Sequence, residues 1–111
     1  MTARFIHNGD AIDYTPAADV AAGDVVVHKE LVAVAKLDIP ANKLGALHVT
    51  GVYDFPKATG GGTAIPTGSN VYWDDAAKQA TTMAGGNKLI GKVVPPGAID
   101  DDETVRVRLS Q

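Results

Sequence analysis

Three histidines, an acidic run, a glycine triplet and two serines are the residues of this chain whose types suit chemistry. His7, His28 and His48 would each accept a metal, but no two share the short spacing of a zinc motif, and no cysteine stands ready to complete one. Asp100-Asp101-Asp102-Glu103 offers carboxylates to calcium, yet it lacks the alternating ligands and central glycine of a calcium loop. As a charge run it reads as a solvated turn ahead of the last strand, where charge discourages stray pairing. Gly60-Gly61-Gly62 invites a phosphate-loop reading, which requires a Gly-Lys-Ser/Thr ending that opens a helix. Here Thr63-Ala64-Ile65-Pro66 follows, proline denies the helix, and a flexible surface loop is expected. Ser69 and Ser110 sit in no Gly-x-Ser-x-Gly elbow. Nothing singles out two of the carboxylates as a glycosidase pair. The reading is therefore of no enzyme: no catalytic residue, no metal site and no cofactor are expected.

Aromatic side chains are the remaining candidates for contact chemistry. Trp73 is the sole tryptophan and follows Tyr72, so strand alternation sends the two to opposite faces. Trp73 is expected in the core beside Val71. Tyr72 is then the candidate for a contact surface, since tyrosine is enriched at interfaces.

The elements that must position these residues are short strands. Val105-Arg106-Val107-Arg108-Leu109 alternates apolar and charged residues, the mark of a strand with one buried face, and no helical period competes with it anywhere. Further strands are read at Arg4–His7, Ala11–Tyr14, Val25–His28, Leu31–Leu37, Gly45–Phe55, Asn70–Asp74, Gln79–Met83 and Lys88–Val94. Asn8-Gly9-Asp10, Lys29-Glu30, Gly85-Gly86-Asn87 and Pro95-Pro96-Gly97 supply the turns. Thr15-Pro16 would cap a helix, but Gly23 closes the segment too soon, and a loop or single turn is expected. In Gly45–Phe55, the longest candidate, Leu47, Val49, Gly51, Tyr53 and Phe55 share a face, with the glycine admitting a bulge or a bulky neighbour. His48 lies on its polar side. About nine short strands at this spacing indicate an all-β fold with little or no helix, a small β-barrel or a jelly-roll-like sandwich.

Length and composition set limits on what such a body does. The 111 residues suit a single β domain spanning 1–111, and the 45% hydrophobic content builds one modest core. A formal charge of −3 argues against wrapping nucleic acid, which calls for clustered lysine and arginine. The absence of cysteine removes disulfides and thiolate chemistry. The N-terminus lacks the apolar run of a signal peptide, and no stretch approaches the roughly 20 apolar residues of a membrane span. A soluble protein made in a cytoplasm is expected, with no membrane partner.

Taken together, the segments resemble the phage capsid cement (decoration) protein family of tailed phages and prophages. The resemblance is carried by Gly9-Asp10-Ala11-Ile12-Asp13-Tyr14-Thr15, Ala22-Gly23-Asp24-Val25-Val26-Val27 and Gly45-Ala46-Leu47-His48-Val49-Thr50-Gly51-Val52-Tyr53 with Pro56-Lys57. It continues through Gly68-Ser69-Asn70-Val71-Tyr72-Trp73-Asp74, Asn87-Lys88-Leu89-Ile90-Gly91 and Val105-Arg106-Val107-Arg108-Leu109. It implies a structural virion protein that binds the outside of an assembled head, with the major capsid protein and copies of itself as partners. Trimers and dimers both suit such a role, and decoration proteins in general favour the trimer. Synthesis in the bacterial host cytoplasm follows from the same resemblance. The segment Met1–Tyr14 is expected to reach the shell or a neighbouring copy, because Arg4, Phe5 and Ile6 precede the first strong turn; a plain edge strand is the alternative. Arg4, Phe5, Ile6 and Tyr72 are thus the candidate interface residues. The competing reading is a β-rich surface- or glycan-binding module on the virion, with Tyr72 or Trp73 stacking on sugars.

Overall fold

A computed structural model describes residues 2–110. Among them are nine strands and no helix: β1 (Ala11–Tyr14), β2 (Val25–His28), β3 (Leu31–Val34), β4 (Gly45–His48), β5 (Val52–Pro56), β6 (Asn70–Asp74), β7 (Gln79–Thr81), β8 (Lys88–Val93) and β9 (Thr104–Leu109). They form two antiparallel sheets. The N-terminal sheet has the order β1-β4-β3-β2 and the C-terminal sheet β5-β9-β8-β6-β7. The sheets stay separate rather than closing into a barrel, and they share an apolar layer as a sandwich does.

Alternation along β9 works as its sequence dictates: Val105, Val107 and Leu109 are buried while Arg106 and Arg108 are exposed. The inner layer joins Val32 and Val34 of β3 to Phe55, Trp73, Val93 and Val107 of the other sheet. Phe55 stands edge-on to Tyr53 and to Trp73, with ring centroids 6.3 Å and 6.1 Å away, a geometry that aromatic quadrupoles favour. Trp73 is buried, as expected, and its indole N–H donates to the Asp75 carboxylate at 3.1 Å.

β3 differs from β9 because both of its faces are apolar. Ala33 and Ala35 point away from the sandwich into a second, smaller cluster with Ile39 and Leu47. Loops partly cover that side, and antiparallel hydrogen bonds between Val20 and Ile39 bring the segments before β2 and after β3 together.

Two strand expectations need correction. Arg4–His7 is not a strand: residues 2–7 are exposed and have no ladder partner, and alternation without a neighbouring strand does not make a sheet. The segment Gly45–Phe55 is two strands in different sheets. Its break is at Val49-Thr50-Gly51, where Gly51 takes φ +111°, a conformation that side chains resist. Leu47 and Val49 therefore serve the small cluster, whereas Tyr53 and Phe55 serve the sandwich layer. One strand lost and one gained leaves the number at nine. Leu31–Leu37 also ends early, at Val34, and Leu37 is exposed.

Gly91 is the position where a side chain is least tolerable. It lies buried in β8, and a Cβ there would run into the Arg108 carbonyl of β9. Gly91→Ala should push β8 and β9 apart and cost about 1–3 kcal/mol. Urea unfolding checks this, and an unchanged midpoint would contradict it.

Candidate interaction surface

The acidic and glycine-rich loops that drew attention in the sequence meet at a single buried cation. Lys57 follows β5 directly and is the one buried charged residue among those described, 5% exposed. Its ammonium donates to the carbonyls of Ala58 (2.7 Å) and Asp102 (2.8 Å), with Asp100 O and Thr63 Oγ1 each at 3.4 Å. The acidic loop thus turns its backbone carbonyls inward to the chain's own ammonium. Its carboxylates cap neighbouring backbone: Asp100 accepts from Ala64 N–H at 2.8 Å and Asp102 from Ile99 N–H at 3.0 Å.

The glycine loop is fastened to the same point. Gly60 N–H donates to Asp100 O at 2.9 Å, and the Thr63 hydroxyl lies 2.6 Å from Gly60 O and 2.9 Å from Asp100 O. The expectation of a freely flexible loop overlooked this anchor. A lone lysine carries no motif, so only the closeness of two loops with surplus carbonyls would have hinted at it.

The histidines are not assembled. His7 precedes the first strand, while His28 and His48 end β2 and β4. Among the described residues no three His, Cys, Asp or Glu side chains converge as metal ligands. His48 is half-buried opposite Val34, less solvated than its polar-face reading implied.

The candidate interface residues fall on two separate surfaces. Arg4, Phe5 and Ile6 lie together on an arm, residues 2–10, that is exposed throughout; Phe5 is 78% and Ile6 74% exposed. Met1 lies outside the described residues. Of the wider segment 1–14, Ala11–Tyr14 is built into the N-terminal sheet as β1. Tyr72 is half-buried on the outer face of the C-terminal sheet, in register with Thr81 and Leu89.

That outer face is polar. Arg106 donates to Asp54 across the β5–β9 pair at 3.0 Å, and Lys92 donates to Asn70 at 2.7 Å. Beside it, Lys78 holds the Asp75 carboxyl below the ordinary aspartate value, helped by the Trp73 N–H. Trp73 itself is buried, so of the two aromatics read as alternatives for sugar stacking only Tyr72 reaches the surface.

A third surface was not read from the sequence. The outer side of the N-terminal sheet carries a groove of about 260 Å³ whose apolar lining includes Ile12, Tyr14, Val26, Leu31, Ala33 and Leu47. Asp13 and His28 also border it. No pattern announced it, because its residues come from four strands.

Comparison with known families decides the kind of protein. The sequence matches the phage cement protein family over residues 6–109. The chain belongs to the phage cement protein family. Membership makes it a phage capsid-associated protein with a structural role. No curated protein and no solved structure matches it. Arg4 and Phe5 precede the matched stretch, whereas Lys57, Tyr72 and Gly91 fall within it.

Lys57 gives this region its test. Lys57→Met keeps the apolar stem and strands the carbonyls of Ala58 and Asp102. Roughly 2–3 kcal/mol should be lost, since hydrogen bonds from a charged donor are involved. The melting temperature should drop by roughly 10 °C at this chain size. Calorimetry measures it, and a loss of less than about 0.5 kcal/mol, the range of ordinary surface substitutions, would refute the anchoring role.

Proposed function

We propose that this protein binds the outer surface of an assembled phage head and cements it, with the major capsid protein as its partner. The observation that carries this reading is the family match across residues 6–109. The fold is suited to the task. A sandwich with a dry inner layer and fastened loops resists deformation, and it offers distinct faces to a shell and to neighbouring copies.

The mechanism is mass action on a lattice. A protein that binds the assembled shell but not its separated subunits stabilises the assembled state by the free energy of that binding. Repeated copies linked to one another gain avidity, because release of one leaves its neighbours attached. The protein acts as a homo-oligomer, a trimer in preference to a dimer, and is made in the bacterial host cytoplasm before it reaches the virion. Arg4, Phe5, Ile6 and Tyr72 are its interface residues. No nucleic acid, membrane or cofactor enters the mechanism.

Purified protein added to expanded heads that lack it should co-sediment to saturation at a fixed ratio. The temperature at which those heads release their genome should rise with occupancy. Heads that sediment without the protein, and leak at an unchanged temperature, would overturn the proposal.

A further inference from the structure

The arm and the groove answer to each other chemically. Phe5 and Ile6 expose large apolar side chains, and residues 2–6 make no hydrogen bond or ion pair among the described residues. Leu37, Leu44, Val52, Met83 and Ile99 are also exposed, but only Phe5 and Ile6 are adjacent in sequence, and together they give the arm an apolar end. β1 is an edge strand, paired with β4 alone, so the backbone groups of its other side are open to a further strand.

We propose that the arm of one copy adds to the free edge of β1 in a second copy, seating Phe5 over Ile12 and Tyr14 at the groove and setting Arg4 against Asp13. Alternation makes both contacts with a single extended segment. Ile12 and Tyr14 are half-buried and line the groove, whereas Asp13 is exposed at its border, and strand alternation turns its carboxylate to the other side of β1. A strand laid beside them with Phe5 over the groove therefore carries Arg4 to the side of Asp13. Neither the Arg4 guanidinium nor the Asp13 carboxylate has a partner among the described residues. The other edge of the sheet, β2, has only valines on its non-groove side, Val25 and Val27, and offers Arg4 no counter-charge.

Residues 2–10 are exposed throughout, and β1 pairs with β4 alone, so the arm does not lie on the open edge of its own copy. Each copy thus presents a donor arm and an empty acceptor edge. Such contacts close when copies exchange arms in pairs or pass them around a ring. Arg4 and Phe5 lie before the stretch matched to the family.

This inference deepens the reading of the protein as a self-associating shell component, and its test uses the full chain without heads. Light scattering should show a multimer that Phe5→Asp converts to single chains, with folding intact because Phe5 packs on nothing in its own copy. Arg4→Asp should shift the dissociation midpoint at least tenfold, and Arg4→Asp combined with Asp13→Arg should restore it. The chain has no cysteine, so Arg4→Cys protein mixed with a size-tagged Asp13→Cys protein should give a disulfide-linked pair of mixed size. An unchanged mass for Phe5→Asp would overturn the proposal. So would an Arg4→Cys/Asp13→Cys chain that closes only on itself, which would put the arm on its own edge. Failure to coat heads by a protein that does multimerise through its arm would count against cementing alone. Coating by a protein whose mass ignores Phe5→Asp would count against this inference alone.

Discussion

Everything in this molecule rests on the dry layer between its two sheets. Strands of four residues in a small sheet are marginal by themselves, and the N-terminal sheet has only such strands. Val32 and Val34 hold it by packing against the sheet that supplies Phe55, Trp73, Val93 and Val107. Phe55 is central to that contact, 1% exposed and edge-on to two other rings. Because this layer occupies one face of the N-terminal sheet, the other face must find separate cover. Loops provide part of it, and the groove is the remainder.

The same economy governs the loops. A chain rich in glycine loses much conformational entropy on ordering, and loops of small residues have little apolar surface to offset that loss. Here one ammonium gathers the carbonyls of two loops that sequence separates by some forty residues. It thereby fixes the end of the sandwich where β5 leaves and β9 begins. Rigidity at that end matters to a protein whose task is mechanical, because a yielding body transmits no resistance to the shell it binds. Ordering only on contact would also weaken binding by the entropy of that ordering.

Much of this was legible in the sequence, and what was not has physical causes. Val105–Leu109 announced β9 because one face is buried and the other is wet, so period two is written in the residues. The burial of Trp73 followed from its alternation with Tyr72. Gly45–Phe55 misled because the alternation runs unbroken through Gly51 while the chain changes sheets there; periodicity records which side is apolar, and two cores lie on the two sides. Arg4–His7 has strand vocabulary and no strand, since the pairing it needs is not local. Lys57 and the groove were invisible for a related reason. Each is a meeting of segments distant in sequence, and no single segment carries its signature. The candidate residues Arg4, Phe5 and Ile6 were chosen by position and content, and all three are exposed in the structure.

The proposed role places this β-sandwich on the outside of a phage head, where it ties neighbouring subunits together. A cryo-electron microscopy reconstruction of heads saturated with the protein tests it most directly. Added density is expected on the outer surface, clustered about symmetry axes and fitted by the two-sheet body, with each cluster touching more than one capsid subunit. Density confined to the interior, or copies each resting on a single subunit without contact between them, would contradict it.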